Sequence, residues 1–397
     1  MAHAMGRTCG KHGTGTAATA LMLVLAVGMT ACSSAGGDQV SAETGEDAPL
    51  SPASVADGGF PERDLIVTAI CTPANAADPG MVTVDGWDPE SWKRLAHAKF
   101  PLPPNAVGAG GPDDTHASHA LSDLCEEDTI TPPDAGNVTR LRSLFDQDFT
   151  KMAVVTEDPQ SGASHVGYVD RSGTFTDLTG DKGFGNTPQE DTATFWPDGS
   201  AVWFVSMEEG RPNPYRVASR SVTGDHKAVV HGEGEDWEYL TVVRNPSRVV
   251  RTGDDAHVSP NGERLLAGNR VMAVPADAEL VDVLEEPGAE QGICPDATAV
   301  GWIDDDTVLC GTNDYNFRTL DLSAGAKPSA PILPENDHVN RGMVISPDGQ
   351  RFAFLSQEGT SRDFYLSSTK PKSTPTKVEK TGSLSALSGT AVVLEWR

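Results

Sequence analysis

One pattern of apolar and polar positions recurs along the chain. In "MVISPDGQRFAFLS", Met343 to Ser356, a short apolar run meets a turn and is followed by a second apolar run. Pro347 pre-sets one dihedral of that turn, Asp348 can bond its own backbone, and Gly349 tolerates positive φ, so the phrase predicts a tight hairpin. In the second run Phe352 and Phe354 occupy one parity and Ala353 and Leu355 the other, without clean alternation. A strand of that kind is expected to be covered on both faces.

The phrase is paraphrased in "ATFWPDGSAVWFVS" (Ala193 to Ser206), "AHVSPNGERLLAGN" (Ala256 to Asn269) and "AVGWIDDDTVLCGT" (Ala299 to Thr312). A weaker fifth copy, "SLFDQDFTKMAVVTE" (Ser143 to Glu157), keeps the outline but has lost Pro and Gly. From Asp148 to Asp198, Asn261, Asp305 and Asp348 the steps are 50, 63, 44 and 43 residues. Periods in the forties with several strands per unit predict the blades of a β-propeller, an all-β fold. "HVGYVDRS" (His165 to Ser172), "PYRVASRSV" (Pro214 to Val222), "NFRTLDLS" (Asn316 to Ser323) and "RDFYLSS" (Arg362 to Ser368) read as third strands.

Closing the ring needs another unit. Strands are expected over Asp64 to Thr72, Gly80 to Trp87 and Ser91 to Phe100, but no hairpin phrase precedes them. At the far end "GSLSALSGTAVVLEWR" (Gly382 to Arg397) reads as the first half of a repeat, with Ser388 to Thr390 as its turn. A half-unit at each end predicts one blade shared by the N- and C-terminal strands, which removes open sheet edges. Six blades result. Seven result if the long step after Asp198 hides another unit in "HGEGEDWEYLTVVRNPSRVVRTGDD" (His231 to Asp255), which is otherwise an insertion or an elongated outer strand.

These units resemble the WD40-like repeats of TolB-type propellers: Ser346 to Phe354 match closely, Trp196 to Phe204 and Ser259 to Leu266 match well, and Trp302 to Leu309 keep the shape. The resemblance implies a six-bladed ring and a docking or ligand-binding surface outside the membrane. The same repeats also serve on enzymes, so activity does not follow from them.

The first residues bear on location. Arg7 and Lys11, an apolar stretch from about Ala17 to Val27 and small residues before Cys32 have the form of a secretory signal, too short for a comfortable membrane span. "MTAC", Met29 to Cys32, resembles the lipobox of bacterial lipoproteins, with Met29 in place of the usual Leu. That resemblance implies cleavage after residue 31 and lipidation of Cys32, hence a protein held at the cell membrane and facing the extracytoplasmic side. Residues 32–59, rich in Gly, Ser, Ala and acids, form the expected flexible tether, and folding is expected from Phe60 to Arg397.

In such an oxidising compartment Cys71, Cys125, Cys294 and Cys310 are expected to form disulfides; four cysteines allow three pairings. Nearness favours Cys294 with Cys310, leaving Cys71 with Cys125 to tie a Gly/Asp/His-rich loop insertion near residues 101–138. Zinc is disfavoured because no CxxC spacing occurs.

With 57 acidic against 30 basic residues, a formal net charge of -27 and no basic stripe, nucleic acid is excluded as a partner. Candidate chemistry is sparse. "GASHVG" lacks the Gly that a nucleophile elbow at Ser164 would need. Asp113, Asp114, His116 and His119 sit in a Gly/Pro-rich loop, and "WIDDDT" lacks the EF-hand pattern, so no metal and no cofactor is expected. The expectation is a monomeric, lipid-anchored binding module for a protein or a small ligand or glycan. The alternative is a carbohydrate-active hydrolase or lyase with carboxylates gathered in the central funnel.

Overall fold

In the computed structural model the described residues are 60, 64–74, 78–109, 120–125, 138–179, 189–207, 215–234, 240–244, 246–252, 256–283, 290–294, 297–325, 327–359, 361–379 and 391–397. The proposed signal, Cys32, the tether, Asp113, Asp114, His116, His119, Trp237 and the turn at 388–390 lie outside them.

The chain opens with β1 (Ile66–Thr72), β2 (Met81–Trp87) and β3 (Arg94–Pro101), a meander, followed by two short helices, α1 (Ala120–Cys125) and α2 (Val138–Arg142). Then come β4 (Lys151–Glu157), β5 (Ser164–Asp170) and β6 (Phe175–Asp177), and next β7 (Gln189–Phe195), β8 (Ala201–Met207), β9 (Tyr215–Ser221) and β10 (Val229–Gly234). A hairpin of β11 (Leu240–Val243) and β12 (Arg248–Arg251) leads into β13 (Ala256–Val258), β14 (Arg264–Ala267) and β15 (Arg270–Ala273), then β16 (Leu280–Asp282) and β17 (Glu290–Gln291). The last units are β18 (Ala297–Trp302), β19 (Thr307–Thr312), β20 (Phe317–Asp321) and β21 (Lys327–Pro328), then β22 (Val339–Ile345), β23 (Arg351–Glu358), β24 (Ser361–Ser368) and β25 (Thr376–Lys377), and finally β26 (Val392–Trp396).

Seven sheets result, and their inner strands neighbour one another in sequence around an axis. The fold is a seven-bladed β-propeller. β26 pairs antiparallel with β1, aligning Ile66 with Trp396 and Ala69 with Val392, and Leu65 and Arg397 exchange backbone hydrogen bonds of 2.8 and 2.9 Å. The ring therefore closes by the expected pairing of chain ends, and three of the expected strands are β1, β2 and β3.

Of the two blade counts, seven holds: His231–Gly234 complete the outer strand β10, and the hairpin that begins at Leu240 is a blade of its own and not an insertion. β11 and β12 pair, and the chain then leaves at once for the next blade, β13-β14-β15. β16 later crosses back to lie parallel to β12, and β17 returns to β15. Two blades are thus interleaved, which is why the 63-residue step looks like one unit with a surplus. The Arg248 guanidinium fastens the crossover by donating to Pro275 O and Ala276 O at 3.0–3.3 Å, and Arg251 pairs with Asp282.

The repeated phrase has one physical cause. Ser346 Oγ donates to Asp348 Oδ1 at 2.6 Å and accepts the Arg351 N–H at 2.9 Å, while Gln350 N–H donates to the same Asp348 oxygen. Ser259 and Asn261 reproduce these bonds at 2.8 and 3.0 Å. Gly349 (φ +67°) is required twice over, since a Cβ there would sit 2.0 Å from Ile303 O of the neighbouring blade. In the fifth copy Phe149 takes the glycine's place at φ +52°, a region costly to a side chain. Its ring is fully buried between Phe60 and Phe145, at centroid distances of 4.5 and 5.3 Å, which offsets that cost.

Two disulfides, Cys71–Cys125 and Cys294–Cys310, join the expected cysteines. The first ties α1 to β1, and Asp123 of α1 in turn forms an ion pair with Arg140 of α2.

Candidate functional site

In the blade built on β4 the helix α2 occupies the inner position. The chain after it pairs only briefly with β4, through the Phe145–Met152 bridge and the 2.7 Å bond from Ala153 N–H to Leu144 O. α2 packs against β26, β11 and β13, the inner strands of other blades, and so stands within the axial channel. On one side, toward α1, β4 and β7, only about 20 Å³ remains, room for roughly one water. On the other side a cavity of about 270 Å³ lies between α2 and the inner strands β11, β13, β18, β22 and β26.

Its walls are mostly apolar, as inner strands of packed blades must be: Val243, Val300, Val344, Ile345, Leu394 and Trp302 are representative. Its floor is charged. Glu395 sits in the middle of the closing strand "VVLEW", where a lone acid in a buried apolar run must find partners. Arg142 Nε donates to Glu395 Oε2 at 2.5 Å, Arg397 Nε lies 3.2 Å from Oε1, and Arg244 Nη1 lies 3.6 Å from Oε2. Burial pushes the Glu395 carboxyl up, but Arg142, Arg244 and Arg397 together hold it below the usual carboxylate range.

The three cations are not equivalent. Arg142 donates to Phe145 O, Asp146 O and Gln147 O at 3.1–3.2 Å and lies 4.1 Å from the Phe149 ring centroid. Its guanidinium is fully engaged in holding α2 and the following turn to the closing strand. Arg397 reaches Phe60 O at 3.5 Å and the Phe149 ring at 5.8 Å. Arg244, at the β11–β12 turn, forms with the described residues only the ion pair to Glu395, and about a third of its side chain (32%) remains accessible. Burial and the neighbouring Arg142 lower its guanidinium to about 9, which leaves it a cation at neutral pH. Asp146, the other nearby carboxylate, is already committed to Thr150 N–H at 2.6 Å, Lys151 N–H at 3.1 Å and the Thr150 hydroxyl.

His257 of β13 lines the wall, with Nδ1 3.4 Å from Thr139 Oγ1 and its carbonyl accepting the Trp302 Nε1–H at 3.1 Å. Burial lowers its imidazole to about 4, so it is neutral at pH 7.

Sequence reasoning locates neither Glu395 nor its arginines. The usable signal is the single acid inside "AVVLEW"; its partners lie as far as 253 residues away and carry no local mark. The residues that sequence does single out fall elsewhere. Ser164 Oγ of β5 donates to Glu190 O of β7, in the neighbouring blade, at 2.7 Å. Asp304 of "WIDDDT" accepts the Asp306 and Thr307 N–H groups as a turn residue. Trp196 stacks on Trp203 at 5.8 Å and does not line the cavity, whereas Trp302 and Trp396 do. Among the described residues no group of three or more His, Cys, Asp or Glu side chains is arranged to hold a metal.

No protein-family model matches the chain, and no curated protein matches it. Among solved structures it is similar to the crystal structure of TolB from Acinetobacter baumannii, at 14% identity over 80% of this chain and 81% of that one, with a TM-score of 0.30. It is also similar to the β-propeller domain of the trilobed protease from Pyrococcus furiosus, at 12% identity over 80% and 81%, with a TM-score of 0.35. A third likeness is to Kuenenia stuttgartiensis hydrazine synthase, at 17% identity over 57% of this chain and 75% of that one, with a TM-score of 0.27.

Proposed function

We propose that this protein is a lipid-anchored, extracytoplasmic β-propeller that acts as a binding module, with the axial cavity as its ligand site. The observation that carries this reading is the character of the cavity: apolar walls, with Arg142, Arg244 and Glu395 lining it and Arg397 paired with the same carboxylate. Pockets of this kind, apolar with a few convergent polar groups, hold small ligands. Anchoring rests on the lipobox-like Met29 to Cys32 and the tether that follows it in the chain.

The alternative, glycoside chemistry, needs two carboxyl groups about 5–9.5 Å apart, one with a raised pKa to act as an acid. Glu395 is shifted the opposite way and is locked by cations, and Asp146 is consumed by its turn. Both facts favour binding over catalysis.

The test is a thermal-shift screen of the full chain against small acids, amines and sugars, with each hit followed by NMR for turnover. Saturable stabilisation without a new product is expected. A product whose formation is lost in Glu395→Gln would overturn the reading in favour of the enzyme. For the anchor, Cys32→Ser is expected to move the chain from the membrane fraction to the soluble fraction; unchanged fractionation would refute lipidation there.

A further inference from the structure

If the axial cavity is the ligand site, its floor and walls also define the chemistry of the ligand. Of the three arginines beside Glu395, Arg142 is saturated by Glu395 and three backbone carbonyls, and Arg397 is held by Glu395, Phe60 O and the closing backbone pair with Leu65. Arg244 is not consumed in this way. With the described residues it has one ion pair, at 3.6 Å, to a carboxylate oxygen that Arg142 already occupies at 2.5 Å. Glu395 and Asp146 together set two negative charges against the three guanidiniums, and Asp146 is already bound within its own turn, so one positive charge in surplus is held beside an apolar cavity, in a chain whose net charge is -27.

We infer that the cavity takes a small monoanionic carboxylate with an apolar body, its carboxylate engaged by the Arg244 guanidinium and its body against Val243, Val300, Val344, Trp302 and Leu394. The planar guanidinium fork matches a carboxylate in bidentate geometry, and one available fork suits one such group. A dianion such as phosphate would have to compete with Glu395 for Arg142 and Arg397, and it would leave the apolar walls unfilled. About 270 Å³ corresponds to roughly nine waters at about 30 Å³ each, or a ligand of roughly ten non-hydrogen atoms. His257 is neutral and adds a hydrogen-bonding edge without charge.

The test uses the full chain with four probes: phenylacetate, 4-methylpentanoate, the neutral isostere phenylacetamide, and inorganic phosphate. Affinity is read from quenching of tryptophan fluorescence, since Trp302 and Trp396 line the cavity, and from calorimetry. The two carboxylates are expected to bind, with phenylacetamide and phosphate each at least ten-fold weaker. Arg244→Gln is expected to weaken phenylacetate by roughly 10- to 100-fold, the range for a lost charge-assisted hydrogen bond. Arg244→Lys, which keeps the charge without the fork, is expected to fall between. Both variants should keep a cooperative thermal transition, because Arg142 and Arg397 still hold Glu395.

If phenylacetamide binds as well as phenylacetate, or Arg244→Gln leaves phenylacetate affinity intact, the anionic assignment fails while the cavity remains a ligand site. Tighter binding of phosphate overturns it in favour of a small inorganic anion. If no probe binds in either series, both the assignment and the cavity reading fall.

Discussion

Replacing Glu395 by Gln removes one negative charge from a site that keeps three positive ones. The side chain is largely buried (15% exposed), hydrogen-bonded to Arg142 at 2.5 Å and ion-paired with Arg397 at 3.2 Å. Breaking a buried pair by neutralising one partner costs about 3–5 kcal/mol, because the remaining charge loses its compensation. Gln keeps the shape and one acceptor, so about 2–4 kcal/mol is expected here. With an unfolding entropy near 2.1 cal/mol/K per residue over this ring, that is a fall in Tm of roughly 3–6 °C. The sign of the pH dependence is set by the lowered folded-state pKa of Glu395. Above its unfolded value, near 4.3, the carboxylate contributes its full stabilisation; as pH falls from there through the folded value, the unfolded state gains the proton first and the contribution is lost. The gap between wild type and Glu395→Gln, measured by denaturant unfolding between pH 7 and pH 3, should therefore be constant down to about pH 5 and then narrow. A gap that stays constant to pH 3, or a variant as stable as wild type at pH 7, would refute the assignment of Glu395 as the ionised centre of the floor.

Four further outcomes are expected from the fold. Gly349→Ala places a Cβ 2.0 Å from Ile303 O at φ +67° and should cost about 3–4 kcal/mol, whereas Gly224→Ala, at φ +88° with nothing within 4 Å, should cost only about 1 kcal/mol. Equal losses in unfolding experiments would contradict the blade-to-blade contact. The Cys71→Ser/Cys125→Ser pair, opening a loop of 54 residues, should lose about 4 kcal/mol, and the Cys294→Ser/Cys310→Ser pair, with 16, about 3 kcal/mol; the reverse order would refute chain entropy as the source. Ending the chain at Ala391 deletes β26 and should abolish the cooperative transition and the near-ultraviolet circular dichroism of the buried tryptophans. Because His257 titrates at about 4 and the floor charges are arginines, phenylacetate affinity should be flat between pH 6 and pH 8, and a change of more than three-fold would implicate another titrating group.

Much of this ring is legible in the sequence because its hairpin turns obey local chemistry. Ser346, Asp348 and Gly349 satisfy their own backbone within six residues, so the same letters recur wherever the same turn is built. The fifth copy shows the limit: Phe149 replaces glycine because burial of its ring outweighs a local preference, and only tertiary packing reveals that. The blade of β11 and β12 is harder to see. Its connection reads "RNPS", with Pro246 and Ser247 but neither the Gly nor the order of Ser-Pro-Asp-Gly, and its third strand arrives from Leu280–Asp282 by parallel pairing, which leaves no trace in neighbouring residues. The cavity is the extreme case. Strand "VVLEW" can be read as the closing strand, but the arginines that make Glu395 meaningful come from a helix, a turn and the chain end, and are gathered only when the circle is complete.

Interleaving also constrains how this molecule can come apart. Strand β12 gains its outer neighbour only after the chain has built β13, β14 and β15, and β15 gains its own only after that detour. Neither sheet can therefore be duplicated, deleted or peeled off by itself, and the stretch from Leu240 to Gln291 must unzip as a single piece. Amide exchange across it should show one shared opening rate where adjacent, uncrossed blades show two.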